Sequence, residues 1–140
     1  MTPQTQPPPS ERLARQVQGL TTLLTLQEEA RQAQSLDELA FIIVNGTLRL
    51  VSYAQAVFWR VTHGKKNILT AVSGAPRFDP NAPQIVWYRK AIDFLTQAAA
   101  MDSIQEVALE RLPPELFQEG EAWSHAHGLW LPVKHPRSGV

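Results

Sequence analysis

From Ser10 onward the apolar residues recur with helical spacing. Leu13, Val17, Leu20 and Leu24 follow one another at intervals of four, three and four. A second stripe runs through Leu23, Leu26, Ala30 and Ala33, with Arg12, Arg15, Gln16, Gln27, Glu28 and Arg31 between the two. This pattern predicts one amphipathic helix reaching to about Gln34, with Gly19 as its weak point. Two stripes on one helix read either as a single broad core-facing band or as two partners: the domain's own sheet and a second surface. On the second reading Leu13, Val17, Leu20 and Leu24 form a dimer seam.

Ser35-Leu36-Asp37-Glu38 has the form of a capping box, in which Ser35 accepts from the amide of Glu38 and Glu38 reaches back to the amide of Ser35. The helix it opens carries Leu36, Leu39, Ala40 and Ile43 on one face and Phe41, Val44, Leu48 and Val51 on the next, the distribution of a largely buried element. Asn45-Gly46 interrupts that pattern, but Leu48 resumes it, so the helix is expected to run through. Tyr53 to Thr62 is aromatic and β-branched and reads as a strand. His63-Gly64-Lys65-Lys66 then makes a hairpin loop, and Asn67 to Ser73 the returning strand.

Gly74 to Pro83 is a loop. Asn81 is placed to cap a third helix with Pro83 in its first turn and Ile85, Val86, Tyr88, Ala91, Ile92, Leu95 and Ala98 as its apolar band, ending near Ala100. Met101 to Ala108 reads equally as a short strand or an irregular connection. Pro113-Pro114 blocks helix at Leu112 and starts a short one toward Trp123. Leu129 to Lys134 is a strand, with Pro132 pointing to an edge or a bulge. The order is too poor in strands for a doubly wound sheet. It implies an α+β fold, an antiparallel sheet with helices packed on it. Residues 1–9 read as a disordered Pro-rich tail, residues 10–135 as the domain and residues 136–140 as a patternless C-terminal tail.

Composition narrows the functional classes. Thirteen Lys and Arg balance thirteen Asp and Glu, so there is no basic surplus for nucleic acid. With no cysteine, disulfides, thiol nucleophiles, zinc ribbons and thioether-linked chromophores are all absent. Met1 to Ser10 lacks the features of a signal peptide. The densest apolar run, Leu39 to Val44, is far below the roughly 20 residues of a membrane span. A soluble, cytoplasmic chain with no direct membrane insertion is expected.

The segment LLTLQEEARQAQSLDELAFIIVNGTLRLVSYAQAVFWRV and the late HGLWLPVKH together resemble the GAF domain family over roughly residues 20–135, by pattern rather than by diagnostic motif. LDELAFIIVNGTLRLVSYAQAVFW, the Ala82-Pro83 before the third helix, and LWLPV are more closely similar to GAF-like regions at the cytoplasmic N-terminus of HlyD-like membrane fusion proteins, the periplasmic adaptors of efflux and secretion systems. That resemblance implies a regulatory or docking role beside a membrane transport assembly, with tethering if the chain continues past Val140. Against the family's pattern the sequence stops before a last strand and a C-terminal helix. This would leave a sheet edge and one hydrophobic face to be covered by a partner, a second copy or the N-terminal helix.

Residue chemistry adds no reaction. His125 and His127 are the only close pair of potential metal ligands, and with Glu119, Glu121 or His135 they would make a metal-dependent enzyme; the simpler reading is a solvated loop, with no metal bound. Ser124 lacks a nucleophile elbow. Glu28-Glu29 and Asp37-Glu38 read as a helix face and a cap. No cofactor is implied. The aromatic residues admit a small-molecule pocket between the sheet and the helix over residues 82–100. Trp59, Trp87 and Trp130 would line it, and Arg60, Tyr88 or Arg89 would supply a polar contact, although the tryptophans serve equally as core.

Overall fold

A computed structural model of the chain describes residues 6–62, 64, 66–98, 103–123 and 127–133. It is α+β, with four α-helices and two two-stranded sheets among the described residues. The chain divides into two compact units, Met1–Phe58 with Ala71–Gly74, and Trp59–Thr70 with Ala75–Val140.

The first unit opens with helix α1, Pro9–Gln32. It starts one residue before Ser10 because proline suits the first helical turn, where the missing N–H has no partner to lose. The Pro8 carbonyl accepts from Glu11 and Arg12 at 3.0 and 3.1 Å. The second stripe meets helix α2, Leu36–Gly46, at Leu26 rather than a sheet as the sequence suggested, while Leu23 at its start stays exposed. Leu26 is buried, and Ala30 and Ala33 are half-buried. The crossing is close because Gly46 has no side chain: a Cβ there would lie 2.5 Å from Leu26 Cδ2.

Ser35 caps α2 as expected, accepting from the Glu38 amide at 3.0 Å. The return bond differs, since Glu38 reaches the amide of Gln34 at 3.1 Å and so ties down the connection one residue earlier. After Gly46 the helix does not continue as α but tightens into a 3₁₀ turn, Thr47–Arg49, a common ending. The Tyr53 hydroxyl then donates to the Val44 carbonyl and lies 2.9 Å from Thr47 Oγ1. This locks Tyr53 to the helix end, so strand β1 begins only at Val57 and runs to Val61.

Strand β2, Asn67–Val72, pairs with β1. At the base of the hairpin Ser73 exchanges backbone and side-chain bonds with Gln55 and Ala56, all at 2.8 Å. Gly74 follows at φ 78, a turn conformation that favours glycine. Its amide donates to Asn45 Oδ1 at 2.8 Å. The core of this unit is Ala40, Val44 and Ala71, with Ala56 and Phe58 packed on it.

The second unit is built on helix α3, Pro83–Ala98. Asn81 does not cap it. Asp79 accepts from the amide of Asn81 at 2.9 Å through its side chain and from that of Ala82 at 3.0 Å through its carbonyl. The first helical acceptor is the carbonyl of Ala82, bonded by Val86 at 2.9 Å. Ile85, Trp87, Tyr88, Ala91, Ile92 and Leu95 are buried, a wide face that accounts for most of this unit's core. The short helix α4, Pro114–Glu119, stops at Gly120 rather than near Trp123.

Strand β3, Gln105–Ala108, resolves the ambiguous stretch as β structure, and it pairs antiparallel with β4, His127–Trp130, with Gln105 opposite Trp130. The expected single sheet is therefore two sheets among the described residues, β1–β2 and β3–β4. Strand β4 begins earlier than Leu129 and ends before Pro132, which has no amide to give a ladder; Lys134 lies outside the described residues.

Candidate docking surface

Helix α1 presents two opposite faces. The one toward α2 carries Leu26 and Ala30, with Ala33 just past the helix end. On the other, Leu13, Val17, Leu20 and Leu24 are 61, 55, 62 and 65% exposed. The sequence reading placed a seam at these positions. The structure shows them standing together on solvent-facing helix, with no cover among the described residues.

Their spacing places Leu13 and Leu20 at heptad position d, and Val17 and Leu24 at a. The flanking e and g positions hold Ala14, Gln16, Thr21 and Leu23, none of them charged. All three charged residues between Ser10 and Leu24, namely Glu11, Arg12 and Arg15, fall at b, c and f, away from the stripe. That segregation was readable from the sequence once the heptad frame was applied. Thr21, Thr22 and Thr25 turn their hydroxyls back onto carbonyls four residues earlier at 2.9–3.0 Å, so they add little free polarity to the helix surface. The exposed ion pairs Arg31–Glu28 at 3.5 Å and Arg49–Glu29 at 2.9 Å lie beyond the stripe.

An open cleft of about 260 Å³ lies in the same unit, lined by Glu29, Phe41, Ile42, Asn45, Gly46 and Arg49. Its polar groups are already engaged. Arg49 bonds Glu29 and the Gly46 carbonyl, and Asn45 donates to the Phe41 carbonyl while accepting from Gly74.

The residues singled out for a small-molecule pocket separate into two groups. Trp59 and Trp130 meet, with ring centroids 4.6 Å apart at 55°; Trp130 is buried, Trp59 half-buried and Arg60 exposed. Trp87 packs into α4 instead. Its Nε1 donates to the Leu116 carbonyl at 2.7 Å, and its ring occupies the space a side chain at Gly120 would need. Tyr88 is buried beside it, and its hydroxyl accepts from Gln84 at 2.9 Å. Burial holds the Tyr88 phenol above its ordinary value of 10.0, with the Gln84 hydrogen bond acting the other way. The Arg89 guanidinium donates to the Pro80 carbonyl. Trp87 and Tyr88 thus serve as core, one of the two readings open for the aromatic set.

The paired-histidine idea has no geometry to test, because Ser124, His125 and His135 lie outside the described residues. Among the described residues no group of three or more His, Asp or Glu side chains is gathered for a metal. On β3–β4 Ile104, Leu129 and Leu131, with Val133 beyond, are exposed, and the exposed Glu106 stands opposite Leu129 in the register. No helix among the described residues is long and apolar enough to cross a membrane. Compared with protein-family models, curated proteins and solved structures, the chain has no match.

Proposed function

We propose that this chain is a non-catalytic regulatory module that acts by docking, and that α1 is the docking element, pairing with a second copy of the chain. The observation that carries this reading is the four-residue apolar stripe, more than half exposed on each member, on the helix face opposite the one α2 occupies. Leaving such a stripe in water is unfavourable, and pairing it with an equal one removes apolar area from water on both sides. The uncharged flanks permit a like partner, since two identical surfaces bring no like charges together along the seam.

The resemblance to GAF-like regions of membrane fusion proteins fits a role of this kind. In that setting the paired helices would hold two cytoplasmic modules beside a transport assembly. Sedimentation tests the reading directly. The wild-type chain is expected to be dimeric at about 100 µM, and Leu20→Glu with Leu24→Glu to be monomeric, because each protomer would then bring two unpaired carboxylates into the seam. A monomeric wild type at that concentration removes the proposal.

A further inference from the structure

We propose that Asn45 is a site of self-modification, losing its side-chain amide nitrogen when the C-terminal end of α2 opens, and that the product closes less tightly than the native chain. Asparagine followed by glycine is the pair in which this reaction meets least hindrance, because the second residue has no side chain to obstruct attack. The Gly46 amide nitrogen adds to Asn45 Cγ, and the side-chain nitrogen leaves as ammonia with the proton displaced from Gly46. Water then opens the resulting imide at either carbonyl. One opening gives aspartate, the other isoaspartate, with an extra carbon in the main chain.

The fold calls for both members of the pair. A Cβ at position 46 would lie 2.5 Å from Leu26 Cδ2, so α1 crosses α2 this closely only over glycine. At position 45 one side chain donates to the Phe41 carbonyl at 3.0 Å and accepts from the Gly74 amide at 2.8 Å. That needs a donor and an acceptor together, and aspartate has no donor. The other two asparagines precede bulkier residues, Asn67 before Ile68 and Asn81 before Ala82.

While the helix is closed the same contacts hold the reaction back. Asn45 lies inside α2, and Gly46 follows with helical φ −71 and ψ −38. The Asn45 amide is turned back one turn to Phe41, away from the Gly46 nitrogen. Ring closure therefore waits for the helix end to open, which the Tyr53 hydroxyl resists through its bond to the Val44 carbonyl. After conversion, closing is weaker. Aspartate sets an oxygen where Nδ2 met the Phe41 carbonyl, and adds negative charge in the last turn of α2, the unfavourable end of the helix dipole. Isoaspartate also throws the backbone ladder out of step.

The test is to incubate the full chain in mildly alkaline buffer, folded or unfolded in urea, and to follow the amide-to-acid mass change in the tryptic peptide of residues 32–49. Asn45 is expected to convert in urea and to convert at least about tenfold more slowly when folded, since only open molecules react. Tyr53→Phe is expected to raise the folded rate about two- to tenfold, the effect of one lost hydrogen bond. Converted chains separated by charge, and the Asn45→Asp chain, should both unfold at lower urea than the wild type. Equal rates in folded and unfolded chains, or faster conversion at Asn67 or Asn81, would overturn the assignment of the site. A folded rate indifferent to Tyr53→Phe overturns control by the helix end. Converted chains as resistant to urea as the wild type overturn the weaker closing.

Discussion

Three glycines show how differently the same residue type is used. Gly19 has no neighbouring atom within 4 Å of the position a Cβ would take, so Gly19→Ala relieves the entropic cost of glycine inside a helix. It is expected to raise stability by about 0.5–1 kcal/mol in urea unfolding. Gly120 is the opposite case. Its φ of −90 is ordinary, but a Cβ would fall 2.0 Å from the Trp87 ring. That ring is rigid and anchored by its hydrogen bond to Leu116. Gly120→Ala is expected to lose about 1–3 kcal/mol by overpacking, read in the same unfolding experiment. Gly46 is intermediate, because the atom it would strike is the movable end of Leu26. Its neighbour Asn45 donates to Phe41 and accepts from Gly74, joining α2 to the exit of the hairpin. Sequence alone marks Asn45-Gly46 as a weak point in a helix. Its use as a crossing point and a tie is a property of tertiary contact.

Tyr88 carries a pH-dependent contribution whose sign follows from its burial. Its folded phenol titrates above the ordinary 10.0, so between that value and the folded one the native state retains a proton that the unfolded chain has released. Stability from this group is therefore fully present below about pH 10 and declines as pH rises through the folded value. Phenolate absorbance should show the Tyr88 step displaced upward, and Tyr88→Phe should flatten the alkaline part of the stability profile. A Tyr88 step at or below pH 10 would contradict the burial argument.

Elements with strong local signals were legible in the chain: α1, the start of α2 with its Ser35 cap, the β1–β2 hairpin, and α3 from Pro83; the early end of α2 at Gly46 was not. Removing that cap by Ser35→Ala is expected to cost about 1 kcal/mol, measured by urea unfolding, since the Glu38 amide then loses its acceptor. What could not be read was pairing. The hydrophobic stripe of α1 announces that two faces exist, but only the crossing at Leu26 shows that one meets α2. The strand pattern announces β structure, but register and sheet membership depend on contacts distant in sequence. These place Gln105 opposite Trp130 in a sheet of its own. The exposed stripe of α1 was legible for the same reason the helices were, because period and charge segregation are local; the core placement of Trp87 and Tyr88 was not, because they are equally good core or pocket formers until α4 is placed beside them.

At the scale of the molecule, the proposed docking and the fold would make separable demands on the same helix. Leu20 and Leu24 are 62 and 65% exposed, so the fold of a single chain gains little from them, and exposed substitutions away from special features change stability by about 0.5 kcal/mol or less. Association, by contrast, stabilises by mass action, and a dimer's Tm rises with protein concentration. The wild type is accordingly expected to melt at a temperature that climbs between about 1 and 100 µM. The Leu20→Glu plus Leu24→Glu chain should melt at one temperature throughout, matching the dilute wild type. The two demands fail in different ways. A variant that melts well below the dilute wild type would mean that these leucines pack within their own chain. Curves that coincide at every concentration would mean that the stripe has no partner among copies of this protein, because exposed apolar area that is buried on association must appear as a concentration-dependent gain.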